Sequence, residues 1–326
     1  MTKKKSIRLI KKNAKQGTDA YTFEIIFEGD LKELSKHNLI NEQGKRYGTV
    51  EINHGKATVV LILPKFIREN NIQPFTLIDS IYLDLIKDDC EQQLKKIFGT
   101  SNLESKIKAI EVNITKRVSG NANISDVLDL LSKALLLKEQ DNLKYVGQSK
   151  KCRLKEEIHT VIIKRPHYYL VKAYDKTEQM RKLGIKVSDG LLRIEIIMIE
   201  RTIERLFGSK TTFQDILTKD SLVSLLREYK RIFCYEIIED KVKKYLNSCV
   251  ILLLESLCDT ESPIETIAVE RDLIVDKEVL RKALRKWQRM RNVSDNSSRD
   301  VELYAKKYFL PEDVVLTLHD IKDSCG

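Results

Sequence analysis

Alternating apolar and polar residues predict strands in the first two thirds of the chain, and helical periodicity predicts helices in the last third. The alternation covers residues 21–27, 48–52 and 57–63, and the last two segments form a predicted hairpin that turns at residues 53–55. Residues 78–98 have helical spacing, and Gly99 is a typical helix end. Residues 1–100 are therefore predicted to be an α/β part.

Residues 106–198 contain both strand patterns and helical patterns. Strands are predicted at residues 106–115, 143–147, 158–163, 168–174 and 191–198, and helices at 125–137 and 176–183. This order predicts an α+β fold with an antiparallel or mixed sheet and helices on one face. Residues 101–208 would hold the catalytic sheet, and residues 209–326 a mostly helical C-terminal domain for DNA binding or another interaction.

Three of the predicted strands combine an apolar face with a chemically active polar face. Residues two apart in a strand share a face. If the three strands are neighbours, their polar side chains gather on one surface of the sheet. These side chains are Glu111 and Asn113, Lys172 and Tyr174, and Arg193 and Glu195.

The residue types on this surface suit metal-assisted phosphate chemistry. Two carboxylates can hold Mg²⁺ or Mn²⁺, and such an ion polarises a phosphodiester. The oxygen of Tyr174 could attack the phosphorus, helped by cations because a tyrosine has a pKa of about 10. The same alternation is also typical of a half-solvated strand with surface ion pairs worth less than about 1 kcal/mol. The pattern alone therefore leaves a catalytic role open.

Composition indicates a polyanionic partner. The chain has 326 residues, 33% of them charged, a formal net charge of +10 and a pI of about 9.1, which favours DNA, RNA or an acidic membrane surface. Its six cysteines form no CxxC pair, which disfavours a zinc ribbon and suits reduced thiols. No apolar run is long enough for a membrane span, so we expect a cytoplasmic protein without membrane contact.

Several motifs between residues 106 and 208 carry a family resemblance. They are Lys108–Thr115, the small-residue and Asn turn at 119–124 before a helix, Tyr174-Asp175-Lys176-Thr177-Glu178, and Arg193-Ile194-Glu195. Their order and spacing resemble the gene II/X replication proteins of filamentous phages and related plasmids. The first strand departs from the family pattern, because it has Ala109 for an arginine and Glu111 for an aspartate.

The resemblance implies a rolling-circle replication initiator. Tyr174 would cut one strand at an origin, leaving a 5′-phosphotyrosine link and a free 3′-OH for a polymerase, with a host helicase and single-strand-binding protein as partners. A His-hydrophobic-His metal motif is absent from the sequence. The implied catalytic residues are Tyr174, Lys172, Lys176 and Arg193, and the implied Mg²⁺ or Mn²⁺ ligands are Glu111, Glu195, Asn113, Glu178 and His167.

Two basic segments are candidates for DNA contact. A predicted amphipathic helix contains basic residues and no acid between residues 281 and 291. A basic loop runs from residue 144 to 155, where Tyr145 could stack on a base. The predicted DNA-binding residues are Lys144, Lys150, Lys151 and Arg153 in the loop, and Arg281, Lys282, Arg285, Lys286, Arg289 and Arg291 in the helix.

Other functions and another nucleophile stay open from sequence. A non-enzymatic phage or plasmid DNA-binding regulator would need the basic helix but not Tyr174. A mobilisation relaxase would use the same tyrosine chemistry at a transfer origin. An RNA-binding protein is less favoured, because aromatic residues make up only 7% of the chain. Tyr168 is predicted on the same strand face as Tyr174 and is the main rival nucleophile, with Tyr169 beside it.

Overall fold

The fold is built on one antiparallel sheet. The computed structural model describes residues 15–26, 35–53, 55–100, 103–118, 124–136, 144–145, 160–187, 190–242 and 244–249. Within these ranges the sheet has the order β2-β3-β4-β1-β5-β9-β8-β7-β6, and every pair is antiparallel. The strands are β1 (Lys15–Ile26), β2 (Ser35–Ile40), β3 (Arg46–Asn53), β4 (Lys56–Ile62), β5 (Glu104–Arg117), β6 (Lys144–Tyr145), β7 (Thr160–Arg165), β8 (Tyr169–Asp175) and β9 (Leu191–Ile199).

Helices follow or connect these strands, which confirms the predicted α+β class. The predicted helix over residues 78–98 is a 3₁₀ turn followed by an α-helix, and Gly99 ends it in a left-handed conformation with φ 71°. The helical segments are Leu63–Ile67, Ile78–Tyr82 (3₁₀), Leu83–Phe98, Ile124–Leu136, Lys176–Lys182, Glu200–Phe207, Phe213–Ile216, Lys219–Lys230 and Arg231–Val242, the last of them π-helical.

One face of the sheet is apolar and lies under helices. Phe23, on β1, is fully buried, and its ring stacks on Phe213 with centroids 4.7 Å apart. The hydroxyl of Tyr229 donates a hydrogen bond of 3.1 Å to the carbonyl of Ile194 on β9. The helices that begin after residue 209 therefore share a core with the sheet, while the division of the chain into three domains stays a prediction.

The structure brings the predicted polar side chains together on the opposite face. Strands β5, β9 and β8 are consecutive neighbours at the middle of the sheet. In one cross-strand row Asn113 pairs with Glu195, which pairs with Lys172. In the next row on this face, Arg193 of β9 pairs with Tyr174 of β8. Glu111 precedes Asn113 by two residues on β5 and therefore lies on the same face.

The observed strands differ from the predicted ones mainly where local patterns are weak. Strand β1 begins at Lys15, six residues before the predicted start, and β2 was not predicted. The predicted helices beyond residue 249 lie outside the described residues. In the described part of the chain, no helix is long and apolar enough to cross a membrane.

Candidate active site

Three carboxylates converge at the centre of the polar face. They belong to Asp19 on β1, Glu111 on β5 and Glu195 on β9, and one oxygen from each lies within 4.8 Å of the others. Asp19 and Glu195 are buried, with 1% and 5% of their surfaces exposed, and Glu111 is half-buried. Neighbouring strands of a rigid sheet thus hold an acidic cluster in place.

A bulge in β1 adds Asp19 to this cluster. Thr18 pairs with Val112 and Tyr21 with Ile110, so that Asp19 and Ala20 together oppose the single residue Glu111. Such a two-against-one bulge locally reverses the alternation of a strand and re-aims a side chain. Asp19 therefore joins Glu111 on the polar face.

Arg193 ties the acidic cluster to the loop that follows the helix Leu63–Ile67. Its side chain is fully buried and donates to Asp19 over 2.6 Å and to Thr115 over 2.8 Å. Its other terminal nitrogen donates to the backbone carbonyls of Asn71 and Ile72 over 2.5 and 2.6 Å. One planar guanidinium thus balances a buried carboxylate and fixes the loop beside it.

The cluster carries more negative charge than Arg193 balances. The pKa of Glu111 is raised well above its ordinary value of 4.5, because its carboxylate is withdrawn from water and lies near the carboxylates of Glu195 and Asp19. Asp19 Oδ1 is buried and has no hydrogen-bond partner among the described residues. An unpaired buried oxygen within a repelling carboxylate cluster fits a hard divalent cation such as Mg²⁺ or Mn²⁺.

Tyr174 lies against this cluster at the end of β8. The residue is half-buried, and its hydroxyl donates a hydrogen bond of 2.5 Å to Glu195 Oε1. Burial and the charge of Glu195 raise the pKa of Tyr174 well above its ordinary value of 10.0. In the protein without a bound cation the phenol therefore stays protonated.

Besides Arg193, which pairs with Tyr174 in the register, Lys176 places a cation near the Tyr174 ring. Its buried ammonium lies 5.9 Å from the ring centroid and donates to Gln179 over 2.7 Å. Burial, followed by the charge of Arg193, lowers the pKa of Lys176 to about 8. Lys172 instead faces Glu195 in the cross-strand register.

Two of the predicted metal ligands, Glu178 and His167, lie away from the cluster. Glu178 makes ion pairs with Arg181 and Lys182 along its own helix, at 3.8 and 3.3 Å. His167 is exposed in the turn before β8, roughly 23 Å along an extended strand from Tyr174. Neither side chain reaches the carboxylates, whereas the buried amide of Asn113 lies beside Glu195 in the register.

The two rival tyrosines have other surroundings. Tyr168 is half-buried and packs against the guanidinium groups of Arg165 and Arg201, 4.9 and 5.6 Å from its ring centroid. Tyr169 is buried on the apolar side, and its hydroxyl donates a hydrogen bond of 2.5 Å to Glu236. Of the three tyrosines, only Tyr174 contacts the acidic cluster.

Most residues of the two predicted DNA-binding segments lie outside the residues that the structure describes. Lys144 belongs to the two-residue strand β6, which pairs with β7. The remaining predicted DNA contacts lie outside the described residues: Lys150, Lys151, Arg153, Arg281, Lys282, Arg285, Lys286, Arg289 and Arg291.

Sequence reasoning missed Asp19 and the loop residues that bind Arg193. Asp19 lies in the polar run Lys15–Ala20, which has no apolar alternation. Counted in steps of two from Tyr21, it would also fall on the apolar face. The signal for this site therefore lies in the bulge, which the local sequence does not reveal.

The fold and the site define an α+β protein with an acidic centre whose carboxylates fit a divalent cation, and with a tyrosine hydroxyl directed at it. No protein-family model matches the chain, and no curated protein sequence matches it. A solved structure described as a rolling circle replication initiator protein from Geobacillus stearothermophilus is similar over 66% of this chain and 84% of that chain, with a TM-score of 0.36 and 13% identity. A similarity at this level establishes neither a shared family nor a shared function.

Proposed function

We propose that this protein is a DNA-replication initiator that nicks one strand at an origin by metal-dependent tyrosine transesterification. The observation that carries the proposal is the hydrogen bond from Tyr174 to Glu195 within a cluster of three carboxylates. The resemblance of residues 106–208 to the gene II/X replication proteins supports the same reaction. The net charge of +10 suits a DNA substrate.

The proposed reaction exchanges one phosphate ester for another. The phenolic oxygen of Tyr174 bonds to the phosphorus, and the bond from phosphorus to the 3′ oxygen breaks. The 5′-phosphate stays on Tyr174, and the 3′ oxygen takes up a proton and leaves as the 3′-OH that primes rolling-circle synthesis. Because the ester bond is conserved, a later 3′-OH can reverse the step and close a circle without ATP.

The residues of the site have distinct tasks in this reaction. Glu195 already accepts the phenolic hydrogen bond and is positioned to take the proton from Tyr174. The charge of Arg193 favours the phenolate form of Tyr174, and the same guanidinium keeps Asp19 in position. Lys176 lies 5.9 Å from the centre of the Tyr174 ring and would add positive charge beside it. Asp19, Glu111 and Glu195 would hold Mg²⁺ or Mn²⁺, which when bound polarises the phosphodiester.

The proposal includes partners that act after the nick. A host helicase would unwind the duplex from the free 3′-OH, and a single-strand-binding protein would cover the displaced strand. A mobilisation relaxase would use the same site but would cut at a transfer origin. A DNA-binding regulator would not depend on Tyr174 or on the carboxylates.

A nicking assay with two matched tyrosine variants tests the proposal. Supercoiled plasmid carrying the replication region of the replicon that encodes the protein is incubated with Mn²⁺ or Mg²⁺, and protein–DNA adducts are detected on denaturing gels. We expect an adduct with wild type and with Tyr169→Phe, whose hydroxyl faces Glu236. We expect none with Tyr174→Phe, and none with wild type in EDTA.

The other outcomes are equally informative. DNA binding without a nick or an adduct under either metal would support the regulator instead. An adduct that persists in Tyr174→Phe would move the nucleophile to another tyrosine. Cleavage confined to a transfer origin would identify a relaxase.

A further inference from the structure

A cationic groove of about 500 Å³ lies apart from the acidic cluster. It is formed by the start of β3, the end of β4 and the helix Leu63–Ile67. Four cationic side chains and one carboxylate line it, with Thr49 and Ile62 on the sheet side. The charged residues are Lys45, Arg46, Lys65, Arg68 and Glu69.

The groove opens on the same face of the sheet as the candidate active site. Thr49 pairs with Val60, which pairs with Thr22, which pairs with Ala109. Residues paired across an antiparallel sheet share a face, and Ala109 precedes Glu111 by two residues. Strand β3 is three strands from β5, which corresponds to about 14 Å across the sheet.

The positive charge of the groove exceeds the negative charge of the described carboxylates that pair with it. In the described part of the chain, no carboxylate lies within ion-pair distance of Arg46 or Lys65. Lys45 donates to the carbonyl of Ile67 over 3.1 Å, which leaves its charge unbalanced. Arg68 binds both oxygens of Asp79, at 2.7 and 2.8 Å, through one terminal nitrogen.

The other terminal nitrogen of Arg68 is a buried donor without a hydrogen-bond partner among the described residues. Buried donors are nearly always paired, so an unpaired one on the wall of a cationic groove indicates a missing acceptor. The described residues that line the groove include no aromatic ring on which a base could stack. These features favour the phosphate backbone of a nucleic acid over its bases.

The groove is also joined to the active site by the chain itself. Arg68 is followed by Glu69, Asn70 and then Asn71, whose backbone carbonyl accepts a hydrogen bond from Arg193. Asn71 also donates to Asp19 over 3.2 Å through its side chain. A strand bound in the groove would therefore lie against the segment that buttresses the carboxylates.

We propose that this groove binds the phosphodiester backbone of single-stranded DNA beside the position of cleavage. The proposal rests on the proposed function for DNA as the partner, and it adds a site on β3, five strands from the strand that carries Tyr174, which corresponds to about 24 Å across the sheet. Lys45, Arg46 and Lys65 supply the charge, and Arg68 supplies a fixed donor. Binding here holds one side of the cleaved strand while Tyr174 acts on it.

Binding measurements that need no cleavage test this inference. Anisotropy of a labelled single-stranded oligonucleotide is measured over a salt series in EDTA, all in a Tyr174→Phe background. Arg46→Gln/Lys65→Gln removes two groove cations, and Lys95→Gln/Lys96→Gln removes two exposed cations from the helix Leu83–Phe98. Thermal melts of both variants show whether they are folded.

We expect the groove variant to bind at least about tenfold more weakly at 0.1 M salt, and its slope of log K against log salt to shrink by about 1.4, the value for two lost phosphate contacts on a single strand. The control variant should match its parent. Equal losses in both variants, or no loss in either, would overturn the proposal. So would equal affinity for RNA of the same sequence, or displacement by inorganic phosphate at constant ionic strength.

The outcome is separable from that of the nicking assay. A protein that binds DNA through the groove but never forms an adduct would contradict the proposed transesterification. The proposal that the groove binds DNA would then still hold. If the variant without both groove cations nicked normally and bound DNA as tightly as its parent, only the proposal that the groove binds DNA would be contradicted.

Discussion

Arg193 donates a hydrogen bond of 2.6 Å to the carboxylate of Asp19, although the two residues are 174 positions apart in the sequence. Both side chains are almost completely withdrawn from solvent, with 0% and 1% exposed. A buried carboxylate without its cation is costly, since the low-dielectric surroundings do not solvate it. Arg193 therefore compensates the buried carboxylate of Asp19.

Replacing Arg193 should destabilise the fold strongly. We expect Arg193→Gln to lower the free energy of unfolding by about 3–5 kcal/mol, because it leaves Asp19 uncompensated. Adding Asp19→Asn should recover part of that loss, so that the double variant is more stable than the sum of the single variants predicts. Urea unfolding of the four proteins measures the coupling.

A surface arginine provides the control for this cycle. Arg181 is 55% exposed and makes an ion pair of 3.8 Å with Glu178. Arg181→Gln should change stability by less than about 1 kcal/mol. If Arg193→Gln were as mild as Arg181→Gln, the structural role given to the buried pair would be wrong.

Glu111 should make the metal-free protein less stable and the metal-bound protein more stable. We expect Glu111→Gln to raise the melting temperature by a few degrees without metal at pH 8, because it relieves repulsion from Glu195 and Asp19. Mg²⁺ or Mn²⁺ at a hundred times Kd should stabilise wild type by about 2.7 kcal/mol, and Glu111→Gln by much less. Calorimetry with and without metal measures both effects. Equal metal-induced shifts in the two proteins would argue against Glu111 as a ligand.

The pH dependence of stability follows from the direction of the Glu111 pKa shift. The folded protein holds the proton of the Glu111 carboxyl more tightly than the unfolded chain does. The stability that this proton contributes to the fold is therefore complete below the ordinary pKa of 4.5. It is lost as the pH rises through the raised pKa. Metal-free wild type should therefore lose stability over this window relative to Glu111→Gln. The urea midpoints of both proteins are measured over a pH series. If the midpoints of wild type and Glu111→Gln changed in parallel with pH, the raised pKa of Glu111 would be contradicted.

Gly17 should be intolerant of any side chain, for a steric reason. A Cβ atom at this position would lie 2.1 Å from the carbonyl oxygen of Phe75, whose backbone pairs with Thr18 through hydrogen bonds of 2.9 and 2.8 Å. We expect Gly17→Ala to lower the free energy of unfolding by about 1–3 kcal/mol. It should also lower the proposed nicking activity by more than this loss of stability explains, since the displaced segment carries the carbonyls that bind Arg193.

Gly184 is the matched control, because its added Cβ would contact no atom within 4 Å. Its φ of 72° means that Gly184→Ala costs about 1 kcal/mol of backbone strain alone. Stability from urea unfolding and the rate of nicking are compared for the two variants. A nicking rate for Gly17→Ala that falls no further than that of Gly184→Ala would contradict the link between this backbone contact and the site.

The strands that carry Glu111, Tyr174 and Glu195 were predictable because each has strict apolar alternation on one side. Two-residue periodicity assigns every second residue to a face, and antiparallel neighbours bring the polar faces together. Only the adjacency of the strands had to be assumed from the sequence, and the observed order β5-β9-β8 supplies it.

The remaining features of the site depend on long-range structure. Asp19 reaches the cluster through a bulge that breaks the alternation on which strand prediction relies. The carbonyls of Asn71 and Ile72 act through backbone atoms, which any residue type could supply. The cationic groove combines residues 45–49 with residues 62–69, and no local pattern indicates that they share a surface.

The position of β1 in the interior of the sheet, next to β5, has a consequence for synthesis of the chain. Of the described strands β1 is made first, yet Arg193 on β9, the partner of Asp19, is made only after residue 190. Contacts of such high sequence separation form late in folding, because a long loop must close first. A nascent or prematurely terminated chain that lacks β9 therefore has neither Glu195 nor the cation that balances Asp19. The acidic cluster and the cation that balances it are thus complete only in a chain that has been translated through β9.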